Sequence, residues 1–356
     1  MVLSLTDRLA ISRVAIVRAL HLGDLLLAVP AFRALRRAFP AAELTLIGLS
    51  WARDFVFRFR HYLDRWREFP GYPGLLEVDV DPRRTEAFLS AERAYRYDLV
   101  IQMHGNGQAS NPFALALGGR RTVGFYAEAP PDGFWLAAPY PDDLHEIDRN
   151  LALVRMLGLN ADDRRLEFPL LPGDWRALME RLSPRVFDQR PVVLLHVGAR
   201  PPARRWPPER FAVVADALAA RYGARLILSA GPGEEGIAAR VRACMRAVPV
   251  DLAGQTTIGS LAALISRCDL VISNDTGPAH LAVALNRPSV TIFGPADRNR
   301  WAPLDARRHP IAFVPVACSP CPHWECPIDH RCLRWIEPEQ VIELAERLLC
   351  EEARCG

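Results

Sequence analysis

The sequence predicts an α/β chain with two parallel sheets, one in each half. Short apolar runs rich in β-branched residues alternate with amphipathic helical stretches, which is typical of parallel sheets joined by right-handed crossovers. Half of the 356 residues are apolar, so the chain can bury a sizeable core, and two domains are expected for this length.

Strands and helices follow one another in a regular order. The runs with the composition of strands lie at 14–17, 43–47, 97–103, 192–197, 225–229, 270–273 and 289–293. Helices are predicted at 24–38, 208–222, 234–246 and 338–350. A proline-containing, acidic segment at 166–172 is the predicted linker. We therefore place one domain at 1–172 and another at 173–356, with the last helix a candidate to cross back onto the first domain.

Composition excludes several classes of function. The net charge of +3 is too small to indicate a nucleic-acid partner, and all 44 side chains counted as lysine or arginine are arginine. Without lysine the chain has no Walker A loop and no Schiff-base nucleophile. A bound phosphate would therefore be held by arginine or by backbone amides.

The sequence also indicates where the protein works. No uninterrupted apolar run approaches the ~20 residues that a membrane span requires. Asp7, Arg8 and Arg13 interrupt the apolar stretch at the amino terminus, which is unlike a secretory signal. We therefore expect a cytoplasmic protein.

The most informative segment is Asn-Asp-Thr-Gly-Pro-Ala-His at 274–280, directly after a predicted strand. Pro278 suits the first turn of a helix, because its missing N–H would be unpaired there. The free amides of that turn and the helix dipole form a seat for a phosphate. Asp275 could meet hydroxyl groups of the molecule that carries the phosphate, and His280 begins one face of the helix. An ordinary strand–turn–helix crossover is the alternative interpretation.

The block at 269–295, which ends Arg-Pro-Ser-Val-Thr-Ile-Phe-Gly-Pro, resembles the carboxy-terminal signature of glycosyltransferase family 9, the heptosyltransferases of lipopolysaccharide assembly. The resemblance implies the GT-B architecture, in which two Rossmann-like domains with parallel sheets face an interdomain cleft. It also implies an inverting, metal-independent glycosyltransferase without a cofactor. Its partners would be a nucleotide-sugar donor, ADP-heptose, and a lipid-linked glycan acceptor.

Asp24 follows Leu-Gly at the end of the first strand, where ligands bind in open α/β sheets. Capping of the next helix is the alternative role, and the local sequence alone favours it slightly. Gly-Asp, an apolar stretch and Pro-Ala-Phe at 30–32 resemble the family's amino-terminal hallmark, which usually reads Pro-Ala-Leu. The resemblance implies that Asp24 is the catalytic base.

Three residues of the first half are candidate acceptor contacts. Arg18 lies just upstream of Asp24, and a sheet-edge cation is its alternative role. His104 and Asn106 follow a later strand and could instead form a turn.

A dinucleotide dehydrogenase would require Gly-x-Gly-x-x-Gly after the first strand, where the chain has only Gly23.

The donor candidates of the second half begin with Gly198, at the end of a strand, and Arg204. The family pattern usually has a lysine at the position of Arg204. An arginine fork can also hold a diphosphate. A solvated arginine pair beside an anchoring tryptophan is the alternative interpretation.

Further donor candidates follow the strand at 225–229. Gly231 would allow a nucleotide to approach the backbone. Glu235 best matches the family's ribose-binding acid, with Glu234 close behind, although both could be acids that favour the start of a helix. Thr256 falls where the family's base-contacting loop lies.

The resemblance implies a mechanism. Asp24 takes the proton of the acceptor hydroxyl, which attacks the anomeric carbon opposite the leaving diphosphate. Thr276, Gly277 and the neighbouring amides, together with Arg204, meet the charge of the leaving group. A relative that uses another nucleotide sugar in capsule or O-chain assembly, and a non-catalytic nucleotide-binding Rossmann protein, are the alternative functions.

Four cysteines cluster near the carboxyl end, at Cys318, Cys321, Cys326 and Cys332. Cys-x-x-Cys followed by two further thiols is a weak candidate for a structural metal site, because the later spacings do not fit a zinc-ribbon pair. Reduced thiols in a surface loop are the preferred interpretation, and a disulfide is the least expected for a cytoplasmic chain.

Residues 51–69 share an aromatic stripe if they form one helix. The stripe consists of Trp51, Phe55, Phe59, Tyr62, Leu63, Trp66 and Phe69, bordered by Arg58, Arg60, Arg65 and Arg67. An aromatic face with flanking arginines suits shallow insertion at the inner surface of the cytoplasmic membrane. Packing of the stripe on the first sheet is the alternative.

Overall fold

The computed structural model describes residues 3–4 and 9–355, the last four by their backbone alone, so Asp7 and Arg8 lie outside the described residues. The chain divides into two compact units, Met1–Arg165 and Leu166–Gly356. This division comes slightly before the predicted boundary after residue 172.

The first unit contains a six-stranded sheet in which all neighbouring strands run parallel. Its strands are β1 (Arg13–Val17), β2 (Glu43–Gly48), β3 (Arg65–Glu68), β4 (Leu99–Gln102), β5 (Thr122–Tyr126) and β6 (Leu136–Pro139). Its helices are α1 (Leu22–Leu26), α2 (Val29–Ala38), α3 (Ala52–Arg58), α4 (Pro82–Tyr95), α5 (Ser110–Ala116) and α6 (Glu146–Met156).

The second unit contains a six-stranded parallel sheet of its own. Its strands are β7 (Val192–His196), β8 (Arg225–Ser229), β9 (Val250–Asp251), β10 (Leu270–Asn274), β11 (Ser289–Ile292) and β12 (Ile311–Ala312). Its helices are α7 (Pro172–Met179), α8 (Pro208–Tyr222), α9 (Glu235–Cys244), α10 (Ile258–Ile265), α11 (Gly277–Ala284), α12 (Arg298–Trp301), α13 (Arg331–Arg334) and α14 (Pro338–Cys355). Short 3₁₀ turns lie at Pro184–Phe187 and Pro202–Arg204.

Both sheets have the same topology. The strand orders are β3-β2-β1-β4-β5-β6 and β12-β11-β10-β7-β8-β9. Counted from the first strand of each unit, both read 3-2-1-4-5-6, which is the order of doubly wound, Rossmann-like domains. The central strands are buried on both faces, as expected of a parallel sheet covered by helices.

The last helix, α14, packs in the second unit. Val341, Ile342 and Ala345 on this helix belong to the same hydrophobic cluster as Val290 and Ile292 of β11. In the described residues, α14 therefore contributes to the hydrophobic core of the second unit, to which it belongs.

The predicted helix at 24–38 is two helices, α1 and α2. Pro30 is the second residue of α2. Proline has no N–H to donate to the oxygen of Leu26, four residues earlier, but it fits the first turn of a new helix. The chain therefore ends one helix at Leu26 and begins another at Val29.

The prediction of one amphipathic helix over 51–69 is wrong. Helix α3 ends at Arg58, and the chain then enters β3, which pairs with β2 from Thr45↔Arg65 onward. The Asp64 carboxylate accepts a hydrogen bond from the Leu44 amide at 2.8 Å, which fixes the start of this pairing. Pairing with β2 therefore overrides the helical pattern of the sequence.

The aromatic stripe is a core feature. Phe55, Phe59, Leu63 and Phe69 are buried, and the rings of Phe55 and Phe59 stack with centroids 4.3 Å apart. Trp51, Tyr62 and Trp66 are half-buried, so most of the stripe packs inside the first unit, and contact of this segment with a membrane stays a prediction. None of the helices in the described part of the chain has the length and apolarity that a membrane crossing requires.

Replacing Phe59 by alanine should lower the free energy of unfolding by about 3–5 kcal/mol, because its fully buried ring would leave a cavity. The matched control is Phe57→Ala, whose side chain is 59% exposed and should change stability by no more than about 0.5 kcal/mol. Urea unfolding of the intact chain, followed by circular dichroism, measures both. Equally small losses would contradict the burial of the stripe.

Candidate active site

The residues predicted to carry chemistry lie at strand ends, next to the point where the strand order of each sheet reverses. That point is between β1 and β4 in the first sheet and between β7 and β10 in the second. Open α/β sheets bind ligands in the crevice outside such strand ends. Asp24 and His104 follow β1 and β4, whereas Gly198 and Asp275 follow β7 and β10. Each unit therefore has a polar edge of its own.

Asp24 is the third residue of α1 and is half-buried. Its Oδ2 accepts a hydrogen bond from the His21 amide at 3.2 Å, so the carboxylate also helps to cap the helix. Burial raises the pKa of Asp24 above its ordinary value, and the Glu146 charge adds to the rise, whereas Arg18 and His21 oppose it. A carboxyl group with a raised pKa at a ligand-binding edge has the property that a general base requires.

Arg18 connects Asp24 to the interior of the first unit and is 1% exposed. Its Nε donates to the backbone oxygen of Asp24 at 3.0 Å, and its Nη1 donates to the oxygen of Met103 at 2.5 Å. Its Nη2 forms an ion pair with Glu146 at 2.9 Å. The sequence offered Arg18 as an acceptor contact, but groups of the chain itself occupy its guanidinium. Arg18 is therefore a buried support for Asp24.

His104 joins the ends of β1 and β4. Its Nδ1 accepts a hydrogen bond from the Ala19 amide at 3.2 Å, which leaves Nε2 to face Oε1 of Glu77 at 3.2 Å. Burial opposes ionisation of Glu77, but the hydrogen bond and charge of His104 outweigh it and lower the pKa of the carboxyl. His104 is thus a buried member of the polar edge, paired with an acid.

Asn106, unlike His104, lies at the surface of the first unit. It is exposed, and its Oδ1 accepts a hydrogen bond from the Gln108 amide at 3.1 Å. The alternative interpretation, that Asn106 forms a turn, predicts this local hydrogen bond.

In the second unit, Asp275 and Arg204 form an ion pair beside the start of α11. Nη1 of Arg204 lies 3.0 Å from Oδ2 of Asp275, whose side chain is 4% exposed. Thr276 is the N-cap residue of α11, and its hydroxyl donates to the Asn274 oxygen at 3.3 Å. The first-turn amides of a helix and its positive end favour an anion, and an adjacent guanidinium adds to this preference.

Helix α11 itself has the local sequence that this position needs. It begins at Gly277, and Pro278 lies in its first turn, where the missing N–H leaves no donor unpaired. His280 is buried within the helix and is 6% exposed. The predicted segment therefore forms the strand end, turn and helix start that its sequence indicated.

Glu234 holds the loops after β7 and β8 together. Its Oε2 accepts a hydrogen bond from the Gly231 amide at 2.9 Å. The same oxygen would lie 1.9 Å from a Cβ added to Gly198, so only glycine allows this close approach without displacing Glu234. Glu234 therefore lies between Gly198 and Gly231. The sequence predicted Glu235, before Glu234, as the acid that binds ribose.

Glu235 points to a different loop. Its Oε1 accepts a hydrogen bond from the Gly233 amide at 3.1 Å and would lie 2.1 Å from a Cβ added to Gly254, which has φ +70°. Gly254 belongs to the turn that leads to the half-buried Thr256. Glu235 and Thr256 therefore belong to the side of the second unit near β9.

Sequence reasoning missed two residues of these edges. Glu77 lies in an irregular loop, and no local pattern connects it with His104. Asn274 lies in the informative segment at 274–280, but its hydrogen-bond partners lie outside that segment. A signal was present, because an amide at the end of a buried strand must find hydrogen-bond partners.

The four cysteines line one cavity of about 300 Å³ with His330 and Ala203. Nε2 of His330 lies 2.6 Å from the Ala203 oxygen, next to Arg204. Burial and the neighbouring thiols raise the pKa of Cys332 to about 11, so its thiol is protonated at neutral pH. Among the side chains described, at residues 3–4 and 9–351, no three or more possible ligands are arranged to hold a metal ion, so the metal interpretation gains no geometric support.

Comparison with known proteins identifies the family. Residues 87–331 match the model of glycosyltransferase family 9 (heptosyltransferase). The chain is 24% identical over 334 residues to lipooligosaccharide heptosyltransferase 2 of Campylobacter jejuni, covering 92% of this chain and 95% of that relative.

Two solved structures resemble the fold over nearly the whole chain. A glycosyltransferase family 9 structure from Veillonella parvula has a TM-score of 0.78 at 24% identity and covers 96% of this chain and 98% of its own. The structure of Escherichia coli ADP-heptose lipopolysaccharide heptosyltransferase II has a TM-score of 0.75 at 20% identity and covers 96% and 99%. The predicted GT-B class of two Rossmann-like domains is confirmed. Since the family model spans more than half of the sequence, the chain belongs to glycosyltransferase family 9, the heptosyltransferases.

Proposed function

We propose that this chain transfers a heptosyl group from ADP-heptose to a lipopolysaccharide or lipooligosaccharide core acceptor, with inversion and without a metal. The names of the relatives from Campylobacter jejuni and Escherichia coli support this donor over another nucleotide sugar of capsule or O-chain assembly. The observation that carries the proposal is the place of the Asp24 carboxyl, in the first turn of α1 directly after β1, at the edge of the first sheet where open α/β sheets bind ligands.

Asp24 acts as the general base. Its carboxylate takes the proton from an acceptor hydroxyl while that oxygen forms a bond to the anomeric carbon of the donor. The bond from the anomeric carbon to the diphosphate breaks, and its electron pair leaves with ADP. Attack from the face opposite the leaving group inverts the anomeric configuration.

The second unit holds the leaving diphosphate. The first-turn amides at Thr276 and Gly277, the positive end of α11 and the guanidinium of Arg204 meet the charge that develops there. Asp275 orients Arg204 through their ion pair and is the candidate contact for hydroxyl groups of the donor sugar. His280 supports the helix that carries these amides.

The nucleoside extends along the loops after β8 and β9. Glu234 and Glu235 are the acids available to ribose hydroxyls, and Gly198 and Gly231 leave room for the Glu234 carboxylate between the loops after β7 and β8. Thr256 contacts the base. On the acceptor side, His104 supports the edge that carries Asp24, because its two ring nitrogens face the Ala19 amide and Glu77.

Asp24→Asn should lower kcat by about 10²–10⁴-fold, the usual contribution of a general base, while the affinity for ADP stays unchanged. Product formation from ADP-heptose and truncated lipopolysaccharide cores, followed by mass spectrometry, measures the first effect, and calorimetry measures the second. Asp54→Asn makes the same chemical change at an exposed position of α3 and should retain full activity. Wild-type turnover by Asp24→Asn would refute the assignment.

The pH dependence of kcat/KM should show an acid limb above the ordinary aspartate value of about 4. Asp24 must be ionised to accept a proton, and its raised pKa means that protonation begins at a higher pH as the solution is acidified. Initial rates from pH 4 to 8 measure the limb, and the dissociation constant of ADP over the same range is the control. A kcat/KM that stays flat down to pH 4 would contradict the raised pKa.

Arg204→Gln should weaken ADP binding by about 10–100-fold, because hydrogen bonds to a charged group are typically worth about 1.5–3 kcal/mol. Arg200→Gln removes the same charge from an exposed position of the same loop and should change ADP affinity by less than about threefold. Calorimetric titration with ADP measures both. If the two variants lose equal affinity, the contribution of Arg204 is a general charge effect.

A further inference from the structure

Asn274, the last residue of β10, has a fully buried side chain that makes its hydrogen bonds with a distant loop. Its Nδ2 donates to the oxygen of Val197 at 2.9 Å and to that of Gly198 at 3.3 Å. Its Oδ1 accepts from the Trp206 amide at 3.0 Å. One amide group therefore joins the strand end before Asp275 to both ends of the loop at 197–206.

The chemistry of an amide fits this position. The loop offers two carbonyl oxygens at one end and an N–H at the other, so its partner must donate twice and accept once. Asparagine carries both functions on one short side chain, whereas serine is too short for all three bonds and aspartate cannot donate when ionised. Buried backbone groups without such partners would be costly.

The same loop carries residues of the proposed donor site. It contains Gly198 and Arg204, and the ion pair of Arg204 with Asp275 ties it to the residue next to Asn274. Trp206 fixes its far end, because this side chain is 1% exposed and its Nε1 donates to the Ile336 oxygen at 3.1 Å. The position of the Arg204 guanidinium thus depends on how the loop is held against β10.

We propose that Asn274 is a positioning residue for donor binding, whose amide holds the loop at 197–206 so that Arg204 and Gly198 lie beside the start of α11. The inference rests on the proposed donor site, and it assigns Asn274 no contact with the donor. Displacement of a binding group by about 1 Å can cost about 100-fold in activity, so an indirect role of this kind is measurable.

Asn274→Ala should raise the dissociation constant of ADP and the KM for ADP-heptose by about 10–100-fold. The KM for the acceptor should stay unchanged, and kcat at saturating donor should fall by less than about threefold. Asn274→Asp keeps the size of the side chain and the acceptor for Trp206, but it loses both donated bonds and should weaken ADP binding at least as much. If Asn274→Ala does not fold, Asn274→Ser takes its place, because a serine hydroxyl is too short for all three bonds.

Ser273→Ala is the matched control. Ser273 is the preceding residue of β10, is equally buried, and has a hydroxyl without a hydrogen-bond partner among the described residues. Its replacement should leave ADP affinity, KM and thermal stability unchanged. The control separates the effect of the Asn274 amide from that of any change in a buried polar residue of this strand.

Calorimetry with ADP, steady-state kinetics and thermal unfolding together decide the question. Lower thermal stability of both Asn274 variants with unchanged ADP affinity in the folded protein would overturn the proposal, because it would mean a purely structural role. Unchanged affinity and unchanged stability would overturn it as well. If the wild-type chain bound no ADP, the proposed donor site itself would fail, and this inference would fail with it.

Discussion

A parallel sheet brings the carboxyl ends of all its strands to one edge, and this constraint decides where ligands can bind in both units. Where the strand order reverses, the connections leave toward opposite faces, so the strand ends at that point stay accessible. The first unit presents a carboxyl group there, and the second presents an arginine–aspartate pair beside a helix start. The same topology therefore supplies two edges of different chemistry.

The edge of the first unit depends on charges that are buried in pairs. Arg18, Glu146 and Arg149 are each at most 3% exposed, with Glu146 2.9 Å from Arg18 and 2.6 Å from Arg149. Removing one partner from such a network typically costs about 3–5 kcal/mol. Burial, the largest influence, raises the pKa of Asp24. The charge of Arg18 lowers this pKa, and that of Glu146 raises it. The packing that holds Asp24 in place is thus also what makes it more basic than a surface aspartate.

The sequence predicted those features that depend on local patterns. The runs at 225–229 and 208–222 match β8 and α8, because their patterns and ends are set by neighbouring residues. The prediction of one helix over 51–69 is wrong because the decisive interaction, the pairing of β3 with β2, is not local. Arg18 bonds to Glu146, 128 residues away, so its burial could not be read from its neighbours. The strand-end motifs located Asp24 and Asp275, whereas Glu77 and the role of Asn274 required knowledge of their distant partners.

The arginine at position 204 illustrates how a departure from a family pattern can be accommodated. A lysine ammonium is a compact point charge, whereas a guanidinium has five N–H donors in a fixed plane. Nη1 of Arg204 faces both Oδ2 and the backbone oxygen of Asp275, at 3.0 and 3.3 Å. Both contacts with Asp275 thus use one nitrogen of the guanidinium, whereas a lysine has only one nitrogen for all its contacts. Under the proposed function, Arg204 can therefore be held by Asp275 through Nη1 and donate to a diphosphate from its other nitrogens.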